Sequence, residues 1–506
     1  MMPSGNGGMD VHRTGRLYLE KEKECKEDLS EVLKSLDIHS PKWPKDDACL
    51  IRGTQKLQDD LRLRVPVARE PYLNCKITSE EFNTDGLPWQ NGCSVTGALS
   101  QMYQGRVVNV FNLTSLAIQK PKLELTVDLE HNVEIIYEPG DAFYFIVPNA
   151  QEEVDFILER MGFLEVADRK LITIVKAQAT AKNAALPPYI PEISTLRYIL
   201  TWCLDIRRSP GRAKSECQKR RIMELCSAQG VEEFTKFVRQ TGLSLVDFLL
   251  NFPSCRPTIE RLIELLPRLL PRPYSVSCVR ELWGKRIRFI FSLVCFNATD
   301  GRRFSRFGLS SGWLSTLKEG EKVLMFLKES SRFRLPPPAH SSFDLARIPL
   351  LMICTGTALA PFLSFLQKLE FLEAEKYKVR RELYYGIRNI KDDCIHYQDI
   401  MRSVDENILS HVSLCESQPC NGIGKKYVQD ALRERGREIS DILFKNSEDE
   451  SHPAMIFVCG SSKQILKDVG DMFLHIFMDF LGKSKEDAEL LLKELRKNDR
   501  FVEDVW

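Results

Sequence analysis

The spacing of hydrophobic residues changes along the chain and divides it into regions. From about residue 100, apolar residues occur in short alternating or continuous runs bounded by turn residues. This pattern predicts β-strands at 106–111, 123–128 and 142–147. Runs at 272–275 and 286–294 follow the same pattern. Short strands joined by tight turns are typical of a small antiparallel barrel, here interrupted in the middle.

The interruption has helical spacing, with apolar residues three and four positions apart. Pro, Gly and Ser separate the predicted helices at 196–206, 216–229, 232–241 and 244–251. After the prolines at 336–338, apolar strands alternate with helices to the end of the chain. The strands are predicted at 350–354, 381–385, 408–414 and 455–459, and the helices at 361–377, 426–435 and 463–481. This alternation predicts a doubly wound parallel sheet.

The predicted fold is therefore a multidomain α/β plus β architecture. It consists of an antiparallel barrel in two parts (96–191 and 269–335), an all-α insertion (192–268) and a doubly wound nucleotide-binding domain (345–506). Residues 1–95 form a charged extension without an assigned fold, apart from an amphipathic helix predicted at 19–38. This extension fits an appendage, a partner-binding arm or a partly disordered segment.

Composition narrows the class of partner and the compartment. The 71 basic and 70 acidic residues nearly balance, which argues against a nucleic-acid or acidic-membrane binder. The 15 cysteines are scattered without CxxC pairs or Cys/His clusters, so no metal site is predicted and a reducing compartment is indicated. We see no apolar signal core at the N-terminus and no apolar run of membrane-spanning length, so the expectation is a cytoplasmic protein without a membrane span.

Two small-residue turns that open helices have the chemistry of phosphate sites. Thr355-Gly356-Thr357-Ala358 follows the apolar run 350–354, and Pro361 suits the first helical turn. A strand, a small-residue turn and a helix start present free N–H groups to an anion such as a diphosphate. The stretch 308–314 has a similar turn. Many such turns bind nothing, so an ordinary βα turn and an ordinary helix cap fit the same residues.

Residues 272–275 bring three useful side chains together. Arg272 can clamp a phosphate, the Tyr274 ring can stack on a planar cofactor, and the Ser275 hydroxyl can hydrogen-bond to a ring nitrogen. For this tetrapeptide alone, a strand start with an exposed tyrosine is the simpler interpretation.

The order of these motifs carries a family resemblance. The motifs are RPYS at 272–275, GLSSGWL at 308–314, the turn at 355–358, YYGIR at 384–388, KKYVQD at 425–430, FVCG at 457–460 and the terminal Trp506. In this order they resemble the flavoprotein reductases of the ferredoxin–NADP reductase type, and the helical insertion resembles that of the diflavin subgroup. Stretches 186–191, 201–206, 251–255 and 266–275 are similar to the methionine synthase reductases within that subgroup.

The resemblance implies two bound dinucleotides. For FAD, Arg272 would contact the pyrophosphate and Tyr274 the flavin ring, while Gly308, Ser310 and Ser311 would hold the diphosphate. For NADPH, Gly356 and Thr357 match the pyrophosphate turn. The residues that match the adenosine end are Arg388, Lys425, Tyr427 and Gln429.

The resemblance also implies a reaction centre. Ser275, Cys459 and Asp504 match the polar group beside flavin N5 and the nicotinamide, which assists hydride transfer by orientation and charge stabilisation. Trp506 matches the aromatic residue that covers the flavin until the nicotinamide displaces it.

Three positions depart from the family pattern. Cys354 and Ala358 replace two glycines of the pyrophosphate turn, which would narrow the approach of a phosphate. Cys415-Glu416 stands where the family has a Ser-Arg pair for the 2′-phosphate, so NADH becomes possible beside NADPH. Ser461 replaces an acidic residue after the nicotinamide strand.

The sequence therefore predicts an FAD-dependent NAD(P)H oxidoreductase that passes electrons to a protein acceptor, with methionine synthase and a separate flavodoxin-like protein as candidates. About a hundred residues precede the barrel, too few for the FMN-binding flavodoxin-like domain of diflavin reductases, so no FMN is expected. The altered turn and Glu416 instead favour a non-catalytic binding or chaperone module for a cobalamin-dependent partner. A protein with a spent nucleotide site is the third alternative.

Overall fold

The computed structural model describes residues 29–35, 64, 70–115, 118–129, 135–177, 184–207, 216–299, 302, 304–329, 332–336, 345–420, 422, 424–444, 452–460 and 463–505. Most of the predicted helix at 19–38 lies outside these ranges, and its described part is helical from Leu29 to Ser35. Leu29 and Leu33 of this helix pack on the barrel core. No helix within the described ranges is both long and apolar enough to cross a lipid bilayer.

The strands and helices are numbered in chain order. The strands are β1 (Leu73–Glu81), β2 (Tyr103–Asn112), β3 (Lys122–Asp128), β4 (Ala142–Phe145), β5 (Arg169–Val175), β6 (Ile193–Thr195), β7 (Arg272–Ser275), β8 (Arg286–Ser292), β9 (Cys295–Phe296), β10 (Arg306–Phe307), β11 (Lys322–Leu327), β12 (Leu350–Thr355), β13 (Arg381–Ile387), β14 (His411–Glu416), β15 (Met455–Gly460) and β16 (Phe501–Val505). The helices are α1 (Leu29–Ser35), α2 (Gln151–Met161), α3 (Leu196–Tyr198), α4 (Glu216–Cys226), α5 (Val231–Phe234), α6 (Leu245–Asn251), α7 (Ile259–Leu265), α8 (Arg280–Trp283), α9 (Leu309–Thr316), α10 (Ala360–Phe371), α11 (Ile390–Asp393), α12 (Tyr397–Asp405), α13 (Val428–Glu434), α14 (Gly436–Phe444), α15 (Lys463–Leu481) and α16 (Lys485–Lys497).

The barrel is a six-stranded antiparallel sheet in the order β7-β4-β11-β2-β3-β8. Its two edges meet beyond β7, where Val276 pairs with Phe289 and the Ser277 N–H donates to the Arg288 carbonyl at 2.9 Å. This closure leaves few unpaired edge groups. Inside, Phe145 and Phe289 pack edge to face with ring centroids 4.9 Å apart. The predicted antiparallel barrel is confirmed.

A second antiparallel sheet, in the order β1-β5-β6, packs on the helical insertion. Here the structure differs from the predicted boundaries, because β1 lies in the segment treated as an unassigned extension. Most of β1 is exposed or half-buried, so its apolar residues show no clear strand period. Segment 151–195 likewise packs with the helices rather than within the barrel sheet.

The C-terminal domain is a five-stranded parallel sheet in the order β14-β13-β12-β15-β16. Numbered from β12, this is the doubly wound order 3-2-1-4-5, whose reversal lies between β12 and β15. The central strand β12 is buried on both faces, which explains its continuous apolar run. The predicted doubly wound sheet is confirmed. The helix predicted at 361–377 ends at Phe371.

The segment between the two domains is anchored to both of them. The Phe333 ring lies 5.2 to 5.9 Å from the rings of Phe362, Phe365 and Phe457 in the C-terminal domain. The next residue, Arg334, makes a bidentate ion pair with the barrel's Asp141, with both N–O distances 2.5 Å. The segment is thus a fixed strut between the domains.

Gly140 packs closely against this strut, and its substitution provides a first test. Its φ is +95°, and an added Cβ would lie 1.9 Å from the Phe333 carbonyl oxygen. Gly162 has a comparable φ of +79° but nothing within 4 Å. We expect Gly162→Ala to lower the free energy of unfolding by about 1–2 kcal/mol, because alanine disfavours the left-handed conformation. Gly140→Ala should lower it by a further ~1–3 kcal/mol, because the added Cβ also clashes with Phe333. Equal losses of unfolding free energy in the two variants, measured by urea melts, would contradict the close packing of Phe333 on Gly140.

Candidate active site

A cleft of about 1430 Å³ separates the barrel from the carboxyl ends of the parallel strands. It lies at the reversal of strand order, where open α/β sheets bind their ligands. Pockets for a single small ligand are usually about 300–1000 Å³. The larger volume suits two extended molecules that share one cavity.

On the barrel side, β7 places Arg272, Tyr274 and Ser275 on the cleft wall, as predicted. The Tyr274 hydroxyl donates to Ser310 Oγ at 2.8 Å, and its ring packs edge to face on Phe145 and Phe291 at 5.7 Å each. Burial raises the pKa of Tyr274, so the hydroxyl stays protonated at neutral pH. The tyrosine is therefore held in one orientation beside the cavity.

The start of α9 faces the same cavity through Gly308, Ser310 and Ser311. An added Cβ at Gly308 would lie 2.9 Å from Ser311 Oγ and 3.1 Å from Val294 Cβ. Ser311 Oγ accepts from the Val294 N–H at 3.1 Å. Within the described chain no side chain caps this helix N-terminus. Its first N–H groups are therefore suited to a phosphate.

The turn after β12 forms a second site of this kind across the cleft. Gly356, with φ of +57°, and Thr357 lie on the cleft wall, and Thr357 Oγ1 is 3.3 Å from Ser292 Oγ of the barrel. Among described residues no side chain caps the turn, which leads into α10. Cys354 and Ala358 are fully buried in the core. The expectation that they narrow the phosphate approach is therefore wrong, because only Gly356 needs to be a glycine here.

The predicted adenosine-end residues are only partly brought together. Arg388, Tyr427 and Gln429 line the cleft. Lys425 instead lies exposed at the surface, with its ammonium 4.8 Å from the Tyr427 ring centroid. The neighbouring Lys426 is the lysine on the cleft wall.

The carboxylate of Glu416, at the end of β14, is hydrogen-bonded to the backbone. Glu416 Oε1 accepts a hydrogen bond from the Ile390 N–H at 2.7 Å. The negative charge at this position is thus partly satisfied by the backbone at the start of α11. Its neighbour Cys415 is buried and reaches the cleft.

The predicted reaction centre is split between the cleft wall and the sheet behind it. Ser275 and Asp504 line the cleft, and burial raises the pKa of Asp504 while the nearby Lys328 opposes the rise. Cys459 pairs with Asp504 in the β15–β16 register but is fully buried. Burial, then the charge of Asp504, raises the pKa of the Cys459 thiol, which stays protonated at neutral pH. Trp506 and Ser461 lie outside the described residues.

Several charged residues of the cleft wall were missed from the sequence. They are Lys120, Lys122, Arg207, Arg306, Lys328 and Asp468. Lys328 follows β11, a strand that was not predicted. Arg306 lies beside the predicted turn at 308–314, and this position in the sequence could have identified it as a site residue. The others lie outside the motifs that the sequence analysis singled out.

The comparisons with known proteins agree with this geometry. The FAD binding domain family matches residues 98–313, and the Oxidoreductase NAD-binding domain family matches residues 352–471. Methionine synthase reductase of Caenorhabditis elegans is 40% identical over 90% of this chain and 68% of its own length. That of Mus musculus is 30% identical over 91% and 68%, respectively. NADPH–cytochrome P450 reductase of Dictyostelium discoideum is 28% identical over 74% and 54%.

The chain belongs to the methionine synthase reductase family. The FAD-binding match contains β7 and the start of α9, and the NAD-binding match contains the turn after β12. The residues fit both dinucleotides, because each matched domain supplies an uncapped helix start to one cleft. The absence of FMN and the individual roles of the site residues stay predictions.

Tyr274 provides a test of the FAD site. Tyr274→Phe removes the hydrogen bond to Ser310, so we expect FAD to bind about fivefold more weakly. Tyr274→Ala also removes the ring and should weaken binding by at least about tenfold. FAD titration calorimetry measures both values. Phe371→Ala, at an exposed aromatic residue of the other domain, is the control. Unaltered FAD affinity in Tyr274→Ala would contradict this assignment.

Proposed function

We propose that this protein is an NAD(P)H-dependent FAD oxidoreductase that passes electrons to a protein acceptor in the cytoplasm. One observation carries the proposal: a helix start of the barrel and a helix start of the parallel-sheet domain open into one cleft, with Ser275 and Asp504 on its wall. That arrangement holds two dinucleotides together rather than one small substrate.

The protein's own residues have definite tasks in this proposal. The N–H groups after Gly308 and Gly356 bind the two diphosphates, and Arg272 and Arg388 add positive charge. Ser275 donates a hydrogen bond toward the reacting ring, and Asp504 stabilises positive charge on the nicotinamide. FAD, when bound, supplies the chemistry that converts a two-electron donor into single electrons for an acceptor. Cys459, buried behind Asp504, supports the wall through packing.

The relatives' name supports methionine synthase as the acceptor. Proteins called methionine synthase reductase are 40% and 30% identical to this chain over about nine-tenths of its length. A separate flavodoxin-like protein is the alternative carrier. An anaerobic mixture of this protein, NADPH and methionine synthase, with and without a flavodoxin, distinguishes the two acceptors.

Reduction of the bound flavin by nucleotide tests the activity itself. The purified protein should be yellow, and anaerobic mixing with NADPH or NADH should bleach the flavin absorbance in a stopped-flow instrument. Asp504→Asn should slow bleaching by at least about tenfold, because it removes the charge beside the nicotinamide site. Glu503→Gln, one residue earlier on β16, is the control. FAD binding without bleaching by either nucleotide would favour the non-catalytic binding module.

Glu416 tests nucleotide preference. We expect Glu416→Arg to raise the ratio of kcat/KM for NADPH over NADH by about tenfold, because a cation replaces a carboxylate near the adenosine end. Glu416→Gln is the matched variant, since it can still accept from the Ile390 N–H but loses the charge. It should raise the ratio less. An unchanged ratio in Glu416→Arg would place the 2′-position of the ribose elsewhere.

A further inference from the structure

His396 lies between two carboxylates at the contact between the barrel and the parallel-sheet domain. Its Nε2 is 3.0 Å from Glu124 Oε2 of β3, and its Nδ1 is 2.9 Å from Asp399 Oδ2 of α12. The side chains of His396 and Glu124 are 8% and 0% exposed. A neutral imidazole has only one N–H, whereas both ring nitrogens here face acceptors. With both carboxylates ionised, the two hydrogen bonds need a doubly protonated, positively charged ring.

The backbone of His396 also has an unusual conformation. His396 precedes α12 with φ of +51° and ψ of +33°, the left-handed region that residues other than glycine rarely occupy. The strain persists because the side chain is held from both sides.

The histidine belongs to a segment that is docked on the barrel at successive positions. The Ser115 N–H donates to the Asp392 carbonyl at 3.1 Å, and Lys122 Nζ lies 2.9 Å from Asp393 Oδ1. Lys122 and Glu124 lie two residues apart on β3 and therefore share a face. Asp393 Oδ2 also accepts from the Arg388 N–H at 2.9 Å, and Arg388 lines the cleft. A shift of the segment would thus reach the cleft wall.

We propose that His396, as a cation between Glu124 and Asp399, is a positioning residue that holds the parallel-sheet domain at the angle that hydride transfer requires. The inference rests on the proposed oxidoreductase function. Its consequence is a rate that depends on the charge of a histidine outside the cleft wall. A displacement of about 1 Å between reacting groups can cost on the order of 100-fold in rate.

The charged groups around the ring set the direction of the pH dependence. Glu124 approaches from β3, Asp399 from α12, and Arg288 from β8, where Arg288 Nη1 lies 3.9 Å from Glu124 Oε2. Arg402 binds Asp399 from the outer side at 3.1 Å. Burial alone would lower the pKa of His396, but the hydrogen bonds to Asp399 and Glu124 raise it above 6.5. The same hydrogen bond lowers the pKa of Asp399 to about 2, against the effect of burial.

The sign of the effect follows from this raised pKa. A histidine whose pKa is higher in the folded than in the unfolded protein stabilises the contact fully below pH ~6.5. That stabilisation is lost as the pH rises through the folded pKa. We therefore expect flavin bleaching at saturating nucleotide to slow at alkaline pH.

Four variants separate positioning from simple packing. His396→Asn tolerates the left-handed backbone but carries no charge, so bleaching should be about 10- to 100-fold slower and lose its alkaline decline. Asp399→Asn and Glu124→Gln keep the histidine but remove one carboxylate. Each should therefore move the alkaline decline to lower pH by about 1–3 pH units. His475→Gln, at an exposed histidine of α15, should leave both the rate and the decline unchanged.

A second measurement does not need activity. The gap in melting temperature between the wild-type protein and His396→Asn should shrink as pH rises, because deprotonation removes the same contact from the wild type. Should His396→Asn fail to fold, Asp399→Asn takes its place, and its gap should also vary with pH. The inference is overturned when the difference in melting temperature does not change with pH. It is also overturned when the bleaching rate of Asp399→Asn declines at the same alkaline pH as that of the wild-type protein. Wild-type protein that nucleotide does not reduce at all refutes the proposed function instead, and the melting gap then still tests the contact.

Discussion

The contact between the barrel and the parallel sheet is the constraint on which the cleft depends. Each domain supplies one helix start, at Gly308 and at Gly356, and neither alone forms a cavity for two dinucleotides. Phe333 and Arg334 fix the connection, one in each domain. The segment around His396 makes a second set of contacts between the domains. The relative position of the two helix starts therefore depends on contacts in the cleft wall, such as Lys122–Asp393, and on contacts beyond it, such as those of Phe333, Arg334 and His396.

The chemistry of this contact explains why charged groups are buried in it. Buried ion pairs contribute little net stability, because removing both charges from water costs about as much as their attraction returns. They do, however, require one specific geometry, since a misplaced partner leaves a buried charge uncompensated. We interpret Lys122–Asp393 and Glu124–His396 as contacts that specify one domain angle. The aromatic cluster around Phe333 supplies the non-directional attraction.

The sequence is most informative where local pattern and burial coincide. Strand β12 is apolar because both of its faces are covered, so its sequence alone predicts a buried parallel strand. Strand β1 was missed because most of its residues are exposed or half-buried, and its pairing with β5 joins residues about a hundred positions apart. His396 gives no sequence signal, since its partner Glu124 lies 272 residues away. Cys354 and Ala358 show the reverse case, in which residues that depart from the motif do not line the cleft because they are buried in the core.

The account claims above all that one cleft holds both dinucleotides across the two domains. A high-resolution map of the protein with FAD and NADP⁺ tests this claim directly. We predict the FAD diphosphate at Gly308–Ser311, the nucleotide diphosphate at Gly356–Thr357, and the His396 ring between Glu124 and Asp399. A dinucleotide bound outside this cleft, or a single dinucleotide that spans both helix starts, would contradict the account.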